Sequence, residues 1–285
     1  MLYKKKIAFL GAGSMAEAMI SGIVNSEKVP AKQVIATNRS NVGRLKELEK
    51  KYGISVSQRD KVNLKEVDII ILAMKPKDID QALLSIKNEI NPNALILSVL
   101  AGITTSYMEQ HLQEGQPVIR VMPNTSSMIG ESATAISSGT QTSFEQVKLT
   151  KELLQTIGEV FVISEEKMDI FTGIAGSGPA YFYYLMEHME KAGAENGLDP
   201  ETSRQIIAQT IVGAAKMIQE QNETPTVLRE NVTSPNGTTA AGLKALELNG
   251  GGNAIAEAVR SAAARSMEIS AQLQGESSSK KKQVI

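Results

Sequence analysis

The sequence predicts an α/β domain built on a doubly wound, mainly parallel sheet, followed by an all-helical domain. Three observations carry this. Short β-branched runs alternate with helical patterns through the first half of the chain, the signature of βα units around a parallel sheet. The run 67–72, Val-Asp-Ile-Ile-Ile-Leu, does not alternate, which suits a central strand buried on both faces. Beyond about Ser164 the strand signal disappears and long helical patterns take over. A length of 285 residues accommodates two domains of ordinary size.

In chain order, strands are expected at 7–10, 33–37, 67–72, 94–99, 117–121, 133–137 and 160–163. Helices fit between them at 14–25, 42–51, 77–90, 104–111 and 143–157. In the second half one helix should run over 179–196 and end at Gly197, where glycine supplies the left-handed stop. Another should begin at Asp199-Pro200, with Asp199 as N-cap and proline at the first helical position. Ala-rich turns occupy 253–273. The expected organisation is therefore 1–163 as a nucleotide-binding domain, 164–274 as a helical domain, and 275–285 as a polar, flexible tail. Charge divides at the same place, net +3 before residue 164 and −4 from there on.

Composition removes several function classes. Lys and Arg together number 30 against 31 Asp and Glu, so no global field exists to hold a nucleic acid. With no cysteine there are no disulfides, iron–sulfur clusters, thiolate zinc sites or cysteine nucleophiles. Of the two histidines, His111 and His188, neither stands beside a second ligand or a nucleophile motif, so neither a metal site nor hydrolytic chemistry is expected. No apolar stretch is long enough to span a membrane or to form a signal core, so the expected compartment is the cytoplasm.

Directly after the first strand stands Gly11-Ala12-Gly13-Ser14-Met15-Ala16, a G-x-G-x-x-A that opens a helix. The first glycine allows the tight turn, the second lets backbone approach a pyrophosphate, and the small sixth residue permits close helix–strand packing. The helix N-terminus offers free N–H groups to the phosphates. Together these predict a Rossmann domain. An NAD-binding chain would carry an acidic residue at the end of the second strand, but here Asn38, Arg39 and Ser40 follow Thr37. A guanidinium with small donors suits a 2′-phosphate, so NADP(H) is preferred and NAD(H) remains open. Later strands end in Ala73-Met74-Lys75-Pro76 and in Ala101-Gly102, loops that must lie at the ligand-binding edge of the sheet.

The helical half contains two unusual segments. One, 173–181, is a glycine-rich loop opening a long helix; the other, 232–243, is a hydroxyl- and glycine-rich turn leading into a helix. The second presents backbone N–H groups beside Ser234, Thr238 and Thr239, an arrangement that fits a substrate carboxylate better than a cation. It holds no strong base.

These residues carry a resemblance. Pro225, Leu228, Val232, Thr233, Ser234, Asn236, Gly237, Thr239, Gly242, Leu243, Leu246 and Glu247 match the signature of the pyrroline-5-carboxylate reductases. The opening fingerprint, the Ala-x-Lys-Pro loop, Val121-Met122-Pro123-Asn124-Thr125 and Gly-Ser-Gly-Pro-Ala-Tyr are similar as well, so the likeness spans nearly the whole chain. It implies reduction of 1-pyrroline-5-carboxylate to L-proline by hydride from NAD(P)H. It also implies a homodimer formed through the helical domain, commonly assembled into decamers. The resemblance places the substrate carboxylate on Ser234, Asn236, Gly237, Thr238 and Thr239, and the cofactor on the first-domain loops, including Asn124. Asn236 stands where many relatives have glycine, and Asp60 stands where relatives usually have an asparagine that touches the cofactor ribose. Because a cyclic imine arrives able to carry its own proton, no histidine or lysine is obligatory. Thr239 is the candidate for contacting the imine nitrogen.

Two other readings compete. A β-hydroxyacid dehydrogenase shares the two-domain plan and would use a helical lysine such as Lys191 or Lys216, but the local signature for it is missing. A non-catalytic dinucleotide-binding regulator would not need the intact 234–239 loop.

Overall fold

Successive residues of a strand face opposite sides of a sheet, and in the central strands of this chain both sides are apolar. In the computed structural model, which describes the backbone of residues 2–282 and the side chains of residues 2–272, this produces a three-layer unit. The strands are β1 (Ile7–Leu10), β2 (Val34–Asn38), β3 (Ser55–Gln58), β4 (Ile69–Leu72), β5 (Leu95–Ser98), β6 (Val118–Met122), β7 (Ser132–Ser138) and β8 (Gly158–Val162). They form one sheet in the order β3-β2-β1-β4-β5-β6-β7-β8 among the described residues, parallel except where β7 meets β6.

The helices of this part are α1 (Ser14–Asn25), α2 (Val42–Tyr52), α3 (Ile79–Ile86), α4 (Thr105–His111) and α5 (Phe144–Leu154). One face of the sheet, with Ile7, Phe9, Ile69 and Ile71, packs against Met19 and Ile20 of α1, Leu48 of α2 and Leu153 of α5. The other, with Ala8, Leu10, Ile70 and Leu72, packs against Ile79 and Leu83 of α3 and Met108 of α4. Each central strand therefore contributes to both cores, which is why 67–72 shows no polar alternation.

The expected strands are all present, and β3 is an addition. Its four residues, Ser-Val-Ser-Gln, sit at the edge of the sheet and are only half-buried, so their hydrophobic signal is weak. The helix expected over 77–90 is shorter than its pattern: a 3₁₀ turn over Pro76–Asp78 leads into α3, which ends at Ile86. Ser143 caps α5 through a reciprocal capping box with Gln146.

Beyond β8 come α6 (Met168–Phe171), a π-helical turn (Thr172–Gly176), α7 (Gly178–Glu195), α8 (Pro200–Gln221), α9 (Pro225–Asn231), α10 (Thr238–Leu248) and α11 (Gly251–Lys282). Gly197 is left-handed at φ +86° after α7, and Asp199 accepts from the Thr202 N–H at 3.0 Å to cap α8. The chain separates into two compact units, Met1–Gly176 with Ala262–Ile285, and Ser177–Ser261. The first unit thus extends past the boundary expected at 163/164. Met168 is fully buried, and Asn124 Nδ2 donates to the Ala175 carbonyl at 3.0 Å, so this stretch stays bound to the sheet although it contains no strand. Where a polar tail was expected from residue 275, the backbone continues as α11 to Lys282; residues 283–285 lie outside the described residues.

Candidate active site

Strand order reverses between β1 and β4, and in such sheets ligands bind at the carboxyl ends on either side of the reversal. A cleft of about 1080 Å³ opens there, lined by the residues following β1, β2 and β4: Gly11 to Met15, Asn38 to Asn41, and Ala73 to Lys75. Gly11 has φ +125°, and a Cβ on it would lie 2.3 Å from the Ala73 carbonyl oxygen, so only glycine lets these two loops approach. At Gly13 a Cβ would meet no protein atom within 4 Å. Nothing inside the protein requires glycine at this position, and the space beside it belongs to the cleft. Gly13 is also the N-cap of α1 without any side-chain cap, so the first N–H groups of the helix lack intrahelical partners. A pyrophosphate fits such a cradle.

The cleft is basic. Arg39, Arg44, Arg59, Lys75 and Lys77 line it, against Glu17 and Asp78. Arg44 is engaged: its Nε donates to the Ala12 carbonyl at 3.1 Å and its Nη2 pairs with Glu17. Hydrogen bonds from Arg44 and Lys51, with one from the Tyr52 hydroxyl, hold the Glu17 carboxyl down at about 2. This network ties α1, α2 and the glycine loop together.

The other expected cofactor residues divide by place. Ser14, Met15, Asn38, Arg39, Ser40, Ala73, Met74 and Lys75 line the cleft. Asn38 shapes its own loop, its Oδ1 accepting from the N–H groups of Ser40 and Asn41. Ala16 is fully buried, as close helix–strand packing demands. Pro76 starts the 3₁₀ turn beside the cleft. Asp60 is exposed and lines a neighbouring cavity of about 560 Å³, which Arg39 and Arg59 share. Gly102 is buried at φ +78° and Ala101 is exposed; both lie outside the lining of the two cavities. Asn124 is buried and its carboxamide is engaged within the protein, accepting from Ser126 N–H while donating to the Ala175 carbonyl. Arg59 escaped the sequence reading, because the strand that delivers it did.

In the helical unit, α10 begins at Thr238 with Gly237 as N-cap and no side-chain cap. Its first N–H groups, at Thr238, Thr239 and Ala240, have no intrahelical partner. Ser234, Asn236 and Thr238 are exposed and Thr239 is half-buried. A Cβ on Gly237 would stand 2.3 Å from Ser234 Oγ, so glycine lets the serine close over the turn. Asn236 has φ +61°, a region that asparagine tolerates better than most other side chains. The histidines sit elsewhere: His111 stacks on Tyr107, with Nδ1 2.8 Å from the Tyr107 carbonyl, and His188 meets Tyr184 edge-on. Lys191 lies among Glu187, Glu190 and Arg204.

A doubly wound sheet with this cleft defines a dinucleotide-binding domain, and residues 6–102 match the family model described as NADP oxidoreductase, coenzyme F420-dependent, which sets the class as an oxidoreductase. Residues 165–269 match the model for pyrroline-5-carboxylate reductase dimerisation. Pyrroline-5-carboxylate reductase 1 of Bacillus subtilis is 61% identical over 94% of this chain and 90% of its own length, and reductase 2 of the same organism is 44% identical over 95% and 97%. Among solved structures, a pyrroline-5-carboxylate reductase from Coxiella burnetii superposes with a TM-score of 0.86 at 29% identity, covering 93% of this chain and 98% of that one. The Plasmodium falciparum pyrroline carboxylate reductase with NADP bound gives 0.84 at 28%, covering 95% and 100%. The chain belongs to the pyrroline-5-carboxylate reductase family.

Proposed function

We propose that this protein reduces 1-pyrroline-5-carboxylate to L-proline, the last step of proline biosynthesis, with NADPH preferred over NADH. The observation that carries the substrate side is the uncapped start of α10, where three N–H groups and the hydroxyls of Ser234, Thr238 and Thr239 stand within one turn. A carboxylate bound there gains charge-assisted hydrogen bonds and the favourable end of the helix dipole. The observation that carries the cofactor side is the cradle at Gly13 with cationic Arg39 beyond it.

Bound NADPH supplies the hydride that adds to the imine carbon. Ser234 and the N–H groups of α10 hold the carboxylate and so fix the ring. The Thr239 hydroxyl orients the imine nitrogen and relays protons between it and water. No side-chain acid is required, since an imine that arrives protonated becomes the neutral amine on hydride addition, and water supplies the second proton that makes the ammonium of L-proline. Positioning therefore supplies most of the rate.

The helical unit also exposes Phe182, Tyr183, Tyr184 and Met189 on α7 and Ile206 and Val212 on α8, apolar area that a second subunit would remove from water. We place the homodimer on this unit and the decamer as its higher assembly. The cytoplasm is the compartment proposed with it, as the chain holds no cysteine for the disulfides of exported proteins.

The test is oxidation of NADPH and of NADH by the purified protein with 1-pyrroline-5-carboxylate, scored as kcat/KM. Turnover favouring NADPH is expected. Turnover favouring NADH keeps the enzyme and discards the role of Arg39; no turnover from a folded protein that binds cofactor discards the substrate.

A further inference from the structure

The structure brings a second guanidinium to Arg39 that the chain order does not announce. In the parallel pairing of β2 with β3, Asn38 stands opposite Gln58. The next residue of each strand is an arginine, so Arg39 and Arg59 leave adjacent carboxyl ends of the sheet side by side. Both line the dinucleotide cleft and both line the 560 Å³ cavity beside it.

Their tethers are neutral. Arg39 Nη2 donates to Gln81 Oε1 at 2.8 Å, and Arg59 Nη2 donates to the Ala82 carbonyl at 3.1 Å and to Ser85 Oγ at 3.0 Å. Three residues within and beside one turn of α3 thus hold both side chains. Neither arginine forms an ion pair among the described residues. Burial, and after it the Arg39 charge, push the Arg59 guanidinium below its ordinary pKa, with Asp78 opposing. Two cations held together by uncharged acceptors repel each other, and a dianion between them removes that cost while gaining charge-assisted hydrogen bonds. Asp78 in the cleft and Asp60 and Glu89 in the smaller cavity are counter-charges that a bound dianion must outweigh.

We infer that Arg39 and Arg59 form a two-guanidinium clamp for the 2′-phosphate of NADPH, and that Arg59 is a specificity-determining residue for the reaction. This rests on the NADPH reading above. Arg39 alone is an exposed side chain with one hydrogen bond; Arg59 adds a second fork from a half-buried position, where water screens it less.

The test uses binding as well as turnover. Calorimetric titration of the full-length protein with adenosine 2′,5′-bisphosphate and with 5′-AMP compares ligands that differ by the 2′-phosphate alone. The wild type should prefer the bisphosphate. Arg59→Gln should lose at least about tenfold of that preference, as expected for a charge-assisted contact, with 5′-AMP affinity changed less than about twofold. The NADPH:NADH ratio of kcat/KM should fall in parallel. Arg59→Lys keeps the charge without the fork and should fall between the two, which guards against a variant that simply unfolds. Equal loss of both ligands, or an unchanged preference in both Arg59 variants beside a lowered one in Arg39→Gln, would overturn the clamp and leave the NADPH reading standing. A wild type that does not distinguish the two ligands overturns both.

Discussion

Glu165 caps the helix that begins at Thr105, across sixty residues of chain: its Oε1 accepts from the Thr105 N–H at 2.9 Å and its Oε2 from the Thr105 hydroxyl at 2.5 Å. The same carboxylate lies 3.5 Å from Nη1 of Arg120, whose side chain is 4% exposed and whose Nε has no partner. An acidic group at a helix start and beside a buried cation is doubly favourable. This contact explains why the nucleotide-binding unit continues past its last strand. Glu165→Ala should destabilise the protein by about 3 kcal/mol, because it leaves Arg120 buried without a counter-charge. Glu165→Gln should cost less. Urea unfolding followed by circular dichroism measures both, and equal midpoints for wild type and Glu165→Ala would remove the role assigned here.

Thr239→Ala should lower kcat by on the order of ten- to a thousandfold, the usual worth of a positioned proton-transfer or orienting group. NADPH affinity should not change, since the role proposed for Thr239 is at the imine nitrogen and not at the cofactor. Steady-state kinetics with an independent fluorescence titration of NADPH separate the two, and an unaltered kcat would take Thr239 out of the mechanism.

At Asn236 the backbone conformation, rather than the side chain, is the expected requirement. Asn236→Gly should keep both stability and activity, because glycine adopts φ +61° freely. Asn236→Val should cost about 1–2 kcal/mol in stability and raise KM for the imine, since a β-branched residue resists the left-handed region. Thermal unfolding and substrate titration of the two variants check this.

Glu17 links acid stability to the cofactor cleft. Its folded pKa of about 2 lies below the ordinary value of 4.5, so its stabilising contribution is complete above pH 4.5 and is lost as pH falls from there towards 2. The pairs stay partly exposed, with Lys51 largely in water, so screening holds the contribution to about 1 kcal/mol. Glu17→Gln should lower stability at neutral pH by that amount and flatten the decline across the acid window. Guanidinium unfolding at several pH values shows whether it does.

Both histidines should be dispensable. A double His111→Gln, His188→Gln variant is expected to retain kcat, because their ring contacts are with Tyr107 and Tyr184. A kcat loss of more than about tenfold would assign one of them to proton transfer.

The division between what could be read along the chain and what could not follows particular residues. The Gly11 and Gly13 fingerprint, the buried run at 67–72, the Asp199 cap and the α10 start were legible because each acts within a few residues of itself. Helix caps, turns and strand burial are local matters, and local chemistry is written in sequence order. β3 was not legible, since a short polar edge strand becomes a strand only by pairing with β2. Arg59 was hidden with it: beside Asp60 it is one charge in a polar turn, and beside Arg39 it is half of an anion site. Glu165 likewise reads as a surface residue until the fold lays it on Thr105. Those pairings depend on sheet register and helix packing, which join residues separated by twenty to sixty positions, and no local preference encodes such distances.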